Sequence, residues 1–103
     1  MEKLKGFQKQ FLKGLAHSMK PVIFIGQNGL TPSVIKAICD ALAQHELIKL
    51  KFLDIKDKTE KLELVGSIEK EATAEMVGMI GHVALFFKQH PEIDKRKIVI
   101  PKR

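Results

Sequence analysis

The stretch Lys20-Pro21-Val22-Ile23-Phe24-Ile25-Gly26-Gln27-Asn28-Gly29-Leu30-Thr31-Pro32 decides the fold. Residues 21–25 form a continuous apolar run rich in β-branched side chains, the pattern of a strand covered on both faces. Gly26-Gln27-Asn28-Gly29 then turns the chain. Thr31 is a suitable N-cap, and Pro32 fits the first helical position, where a missing N–H costs nothing. Val34, Ile35, Ile38, Cys39 and Leu42 supply one apolar stripe, so a helix is expected to about Gln44. A glycine turn between a strand and a capped helix makes a cradle for an anion. The helix start offers unpaired N–H groups and the positive dipole end, and a Cβ at either glycine would obstruct a phosphate.

Working outward, Leu4, Phe7, Phe11, Leu12 and Leu15 recur at helical spacing, predicting an amphipathic helix that ends near His17, with Lys5, Lys9 and Lys13 striped along its other side. From residue 47 to 53 the period changes to two. Ile48, Leu50 and Phe52 share one face, while Lys49 and Lys51 give the strand a basic one. Residues 58–72 read as another helix, although Thr59, Gly66 and Ser67 are poor helix formers. Strands at 76–80 and 83–87 flank Gly81-His82, a pair suited to a tight type II′ hairpin. The apolar triplet Ile98-Val99-Ile100 is expected to add an edge strand. The predicted fold is therefore α/β: an N-terminal helix, then βαβαββ forming a mixed four-stranded sheet with helices packed on it.

The chain has 103 residues with a formal net charge of +6, and 45% of them are apolar. One small domain over 1–103 is expected, with a basic tail from about 91 to 103. The longest apolar run, residues 83–87, is far short of the ~18 residues of a membrane span, and no signal peptide is apparent, so a cytoplasmic protein with no membrane contact is expected. Charge is uneven: residues 1–53 carry a net +5, residues 54–75 a net −3 and residues 76–103 a net +4. A polyanion would approach the outer segments and be repelled by the middle one.

Other chemistry finds little support. His17, His45, His82 and His90 lack ligand spacing, and the single Cys39 excludes a CxxC site, so neither metal nor cofactor is expected. Cys39 reads as a core residue, and the acids of 54–75 as a solvated helix face. There are six Phe and no Trp or Tyr, and Phe7, Phe11, Phe24 and Phe52 are expected in the core, which argues against an aromatic platform for bases. The second glycine pair, Gly78 and Gly81, falls inside the predicted hairpin and reads as structural. A GxxG loop that clamps a nucleotide backbone is the device of KH domains, yet four residues also fit a plain strand-to-helix turn.

Taken together, Leu12-Lys13-Gly14-Leu15-Ala16-His17, Lys20-Pro21-Val22, Gly26-Gln27-Asn28-Gly29-Leu30-Thr31 and His45-Glu46-Leu47-Ile48-Lys49-Leu50-Lys51 resemble the YhbY proteins, stand-alone bacterial versions of the CRM domain, in the family's order and over nearly the whole chain. The resemblance implies a fold like the C-terminal domain of translation initiation factor 3, and a non-enzymatic RNA-binding module associated with precursors of the large ribosomal subunit. It casts Gly26, Gln27, Asn28 and Gly29 as the backbone clamp and Lys20, Lys49 and Lys51 as flanking phosphate contacts. Two positions depart from the family: Phe87-Lys88 stands where Tyr-Arg is common, losing the planar guanidinium fork, and Gln27 replaces a common basic residue. The candidate RNA-binding set is Gly26, Gln27, Asn28, Gly29, Thr31, Lys20, Lys49, Lys51, Lys9, Lys13 and Lys88, and the expected partner is ribosomal RNA bound by a monomer. A basic module docking an acidic protein is the alternative reading, and a small phosphate-handling enzyme a third.

Overall fold

In a computed structural model, which describes residues 3–102, the order is α1 (Gly6–Ala16), β1 (Ile23–Ile25), α2 (Pro32–His45), β2 (Leu47–Phe52), α3 (Lys58–Ala72), β3 (Glu75–Ile80) and β4 (Val83–Phe87), followed by a 3-10 turn at Ile93–Lys95. Met1, Glu2 and Arg103, which the expected domain limits and tail include, lie outside the described residues. Each helix starts where a side chain satisfies a backbone amide left over at the helix end. The Lys5 N–H donates to Gln8 Oε1 at 2.8 Å before α1. Thr31 Oγ1 accepts from the Val34 N–H at 3.2 Å in α2, and Asp57 Oδ1 accepts from the Thr59 N–H at 2.9 Å in α3.

The strands form one mixed sheet in the order β1-β2-β4-β3, with β1 parallel to β2 and the other neighbours antiparallel. Gly81, at φ 59°, makes the tight hairpin that pairs Ile80 with Val83. One face of the sheet buries Ile23, Ile25, Ile48, Leu50, Phe52, Ala84 and Phe86 against Ile38 and Leu42 of α2 and Val65 and Ile68 of α3. The other buries Leu47, Val77 and Phe87 against Leu12 and Ala16 of α1, with Ile98 and Ile100 packed beside them. Each large side chain removed from water contributes roughly 1.5–3 kcal/mol, so the two-helix side dominates stability. The single helix α1 covers only part of its side, and the remainder stays open.

Two expectations fail here. β1 is not covered on both faces: it is a three-residue edge strand packed only on the α2 side, which leaves Phe24 52% exposed. Phe11 likewise is 38% exposed on α1, whereas Phe52 is buried as expected. Residues 98–100 add no strand. Their segment runs back across the α2–β2 junction, where backbone amides that would have made a ladder are taken by a carboxylate: Glu46 Oε1 accepts from the N–H groups of Lys97 at 2.6 Å and Ile98 at 2.9 Å.

Candidate nucleic-acid interface

The loop after β1 is built from its backbone. The Gly29 N–H donates to the Gly26 carbonyl at 3.0 Å, and the Thr31 N–H donates to the Gly29 carbonyl at 3.2 Å. The turn therefore uses two of its own amides, so the sequence-level picture of an entirely bare cradle is too generous. Among the described residues, the amides of Gln27, Asn28 and Leu30 meet no protein acceptor. Gly29 sits at φ +68°, a conformation that favours glycine. Gly26 does not. Its φ lies outside the left-handed region, and a Cβ built there meets no heavy atom within 4 Å. The corresponding Cβ at Gly29 meets only Leu64 Cδ2, at 4.0 Å. The loop is thus open, and nothing in the fold itself requires glycine at position 26.

The loop lies at the end of the sheet where the Leu53 N–H meets the Ile25 carbonyl at 2.8 Å and the Phe52 N–H meets the His82 carbonyl at 2.7 Å. Lys51 is exposed at this end, in register with Phe24 on one side and Val83 on the other. Lys49 shares that face but is half-buried, and its Nζ donates to the Met19 carbonyl at 2.8 Å, tying β2 to the α1–β1 connection. Lys20 is exposed in that connection. Lys13 crosses the sheet above Gly78, where an added Cβ would come within 2.7 Å of Lys13 Cε, so this glycine leaves room for the lysine stem.

The remaining candidates stand apart. Lys88 follows β4 at the end opposite the hairpin, five residues and about 17 Å from Val83. Lys9 belongs to that far end too, with Nζ 3.6 Å from Glu75 Oε2, as does Lys20, beside His45 and Leu47. Loop, Lys51, Lys49 and Lys13 form one region, and Lys9, Lys20 and Lys88 do not join it, Lys20 because it precedes β1 and lies level with Leu47, whose partner on β4 is Phe87. The acids of 54–75 are also more than a solvated face: Glu69 Oε2 accepts from the Met76 N–H at 2.9 Å, and Glu75 Oε1 from the Leu4 N–H at 2.9 Å.

Two residues carry structural roles that periodicity did not show. Glu46 is 1% exposed at φ 64°, and besides Lys97 and Ile98 its carboxylate accepts from the His90 N–H at 2.7 Å. It binds the C-terminal segment to the α2–β2 junction. Lys61 is buried on α3 and donates to the Gly81 carbonyl at 3.2 Å, holding the hairpin. Glu46 falls within the His45–Lys51 stretch that carries the family resemblance, but its partners are 44 to 52 residues away and carry no local signal.

Residues 4–88 match the model of the CRS1 / YhbY (CRM) domain. The chain belongs to that family. It is 41% identical over 103 residues to a Haemophilus influenzae protein named as an RNA-binding protein, covering all of both chains. It is similar to the probable RNA-binding protein YqeI of Bacillus subtilis, at 31% identity over 98 residues, 95% of this chain and 99% of the relative. The solution structure of a hypothetical Staphylococcus aureus protein, described as a candidate RNA binder, superposes with a TM-score of 0.80 at 32% identity, covering 96% of this chain and 100% of that one. This CRM domain accordingly has the α/β architecture expected from the sequence, with its glycine loop between β1 and α2. Among the described residues no helix is long and apolar enough to cross a membrane, and no group of three His, Cys, Asp or Glu is placed to hold a metal.

Proposed function

We propose that this CRM domain binds RNA, gripping the sugar-phosphate backbone against the loop at Gly26, Gln27, Asn28 and Gly29 and the capped start of α2 at Thr31, with Lys51, Lys49 and Lys13 adding charge. The RNA is precursor ribosomal RNA of the large subunit, bound during assembly, and the domain acts as a monomer without cofactor. The relatives named as RNA-binding proteins support the ligand class. The observation that carries the loop assignment is Gly26: it has ordinary φ and open space, so the folded chain has no need of glycine there, whereas a ligand backbone approaching closely does. The free amides of Gln27, Asn28 and Leu30 then offer donors to phosphate oxygens beside the helix start.

Gly26→Asp tests this without disturbing the fold, because a Cβ at this position has no heavy atom within 4 Å and its φ lies outside the left-handed region. A carboxylate about 6 Å from a phosphate costs roughly 1.4–2.8 kcal/mol at an effective dielectric constant of about 20–40, or about 10- to 100-fold in affinity. The variant should melt with the parent and bind single-stranded RNA that much more weakly. Unchanged binding by the folded variant overturns the loop assignment. Crosslinking in cells should map to large-subunit precursor RNA, and crosslinks spread over unrelated transcripts would contradict the assembly role.

A further inference from the structure

The part of the sheet that α1 leaves open has a composition of its own. Register places Phe24, Lys51, Val83 and Ile80 in one row across all four strands, and they share the face that α1 partly covers. Phe24 is 52% and Ile80 85% exposed, and Lys51 stands exposed between Phe24 and Val83. One row further in, between this surface and the end of α1, lies a groove of about 300 Å³ with Val83 and Leu85 on its floor and Lys13, His17 and Lys49 around it. Apolar surface edged by cations, without a carboxylate in the row or the groove lining, suits a ligand with flat apolar faces and a negative backbone.

We infer that this surface is a base-binding subsite: an unpaired nucleobase of single-stranded RNA stacks on the Phe24 ring while Lys51 neutralises the adjacent phosphate, and the neighbouring base enters the groove beside Lys13 and Lys49. The inference rests on the RNA-binding reading above and deepens it by specifying unpaired RNA. Phe24 is only two residues, about 6.6 Å of strand, from Gly26, so one RNA strand held at the loop passes directly over the edge of β1. Stacking needs a free π-face, which a base within a duplex does not offer. An aromatic platform, judged unavailable when Phe24 was expected in the core, is thereby restored by the edge position of β1.

The test compares the full chain with Phe24→Ala and Phe24→Trp for binding to short oligo(A), to an abasic oligomer of equal charge and to an RNA duplex. Phe24 lies outside the buried core, so both variants should melt as the parent does. Phe24→Ala is expected to weaken oligo(A) binding about 5- to 150-fold, with the salt dependence unchanged and abasic and duplex binding unaffected. Phe24→Trp should retain affinity, with indole fluorescence quenched by oligo(A). Equal loss on the abasic oligomer, or oligo(A) affinity within twofold of the parent for Phe24→Ala, overturns the subsite. If in that second case Gly26→Asp still loses affinity, the loop reading survives alone. No binding of any RNA by the parent chain removes both. A change in self-association with RNA affinity unaltered makes this face a contact between copies and also overturns the subsite.

Discussion

Replacing Glu46 should release the C-terminal segment from the α2–β2 junction. Its buried carboxylate accepts three backbone N–H groups, from His90 at 2.7 Å, Lys97 at 2.6 Å and Ile98 at 2.9 Å. Hydrogen bonds to a charged group contribute about 1.5–3 kcal/mol each, so the three amount to roughly 5–9 kcal/mol if the amides stay buried without acceptors. They need not stay. The segment can undock and expose the amides to water, which limits the loss to the docking energy of half-buried Ile98 and Ile100 and of the Arg96 and Lys97 side-chain contacts. That limit is about 2–4 kcal/mol on apolar burial of this kind. Against it stands the backbone of Glu46 at φ 64°, which costs a non-glycine residue about 1–3 kcal/mol. Glu46→Gly recovers part of that strain and Glu46→Ala none. Both should therefore destabilise, Ala by about 3 kcal/mol and Gly by about 1 kcal/mol less, with Tm falling roughly 4–8 °C per kcal/mol. Amide hydrogen exchange reads the mechanism: His90, Lys97 and Ile98 should lose protection while Leu50 and Phe86 in the central strands keep it. Retained protection at the three amides, or a glycine variant less stable than the alanine one, would refute the carboxylate clamp.

Lysines on β2 should separate by salt dependence. Lys51→Ala should reduce the slope of log affinity against log salt on single-stranded RNA by about 0.7, the value of one phosphate contact, while Lys49→Ala, whose ammonium already serves the Met19 carbonyl, should reduce it by less and lower Tm as well. Identical slope changes measured by titration over a range of salt would contradict that division. Lys61→Met should keep thermal stability within about 1 kcal/mol, because an unbranched apolar chain fills the same buried path and the Gly81 carbonyl it vacates belongs to an exposed residue that water can reach. A drop of several kcal/mol in denaturant unfolding would mean the ammonium holds the hairpin by more than one bond.

Local patterns in the sequence carried much of the architecture. The helix at 58–72 appears at Lys58–Ala72 and the hairpin strand at 83–87 appears at Val83–Phe87, because apolar spacing and a Gly-His turn are short-range signals. Gly66 and Ser67 leave α3 unbroken since both lie on its exposed face, away from Val65 and Ile68. Long-range features were hidden. An unalternating run such as residues 21–25 does not reveal that its strand forms the sheet edge, so the exposure of Phe24 could not be read from it. Ile98-Val99-Ile100 has strand composition, but the acceptor that claims its neighbouring amides is Glu46, 52 residues from Ile98. At the candidate interface, the loop was legible as a unit, from strand to N-cap. Which lysines accompany it was not, because Lys9 and Lys13 are neighbours on α1 yet Lys9 is turned to Glu75 while Lys13 crosses Gly78 into the open groove.

The most direct measurement is an amide chemical-shift titration of the isotope-labelled chain with single-stranded RNA at low salt. The account predicts the largest changes at Gly26, Gln27, Asn28, Gly29 and Leu30, continuing through Thr31 and Ser33 into α2 and across to Lys51. Changes confined to α3 or to the far end of the sheet around Glu75 and Lys88, with the 26–30 amides unmoved, would contradict it.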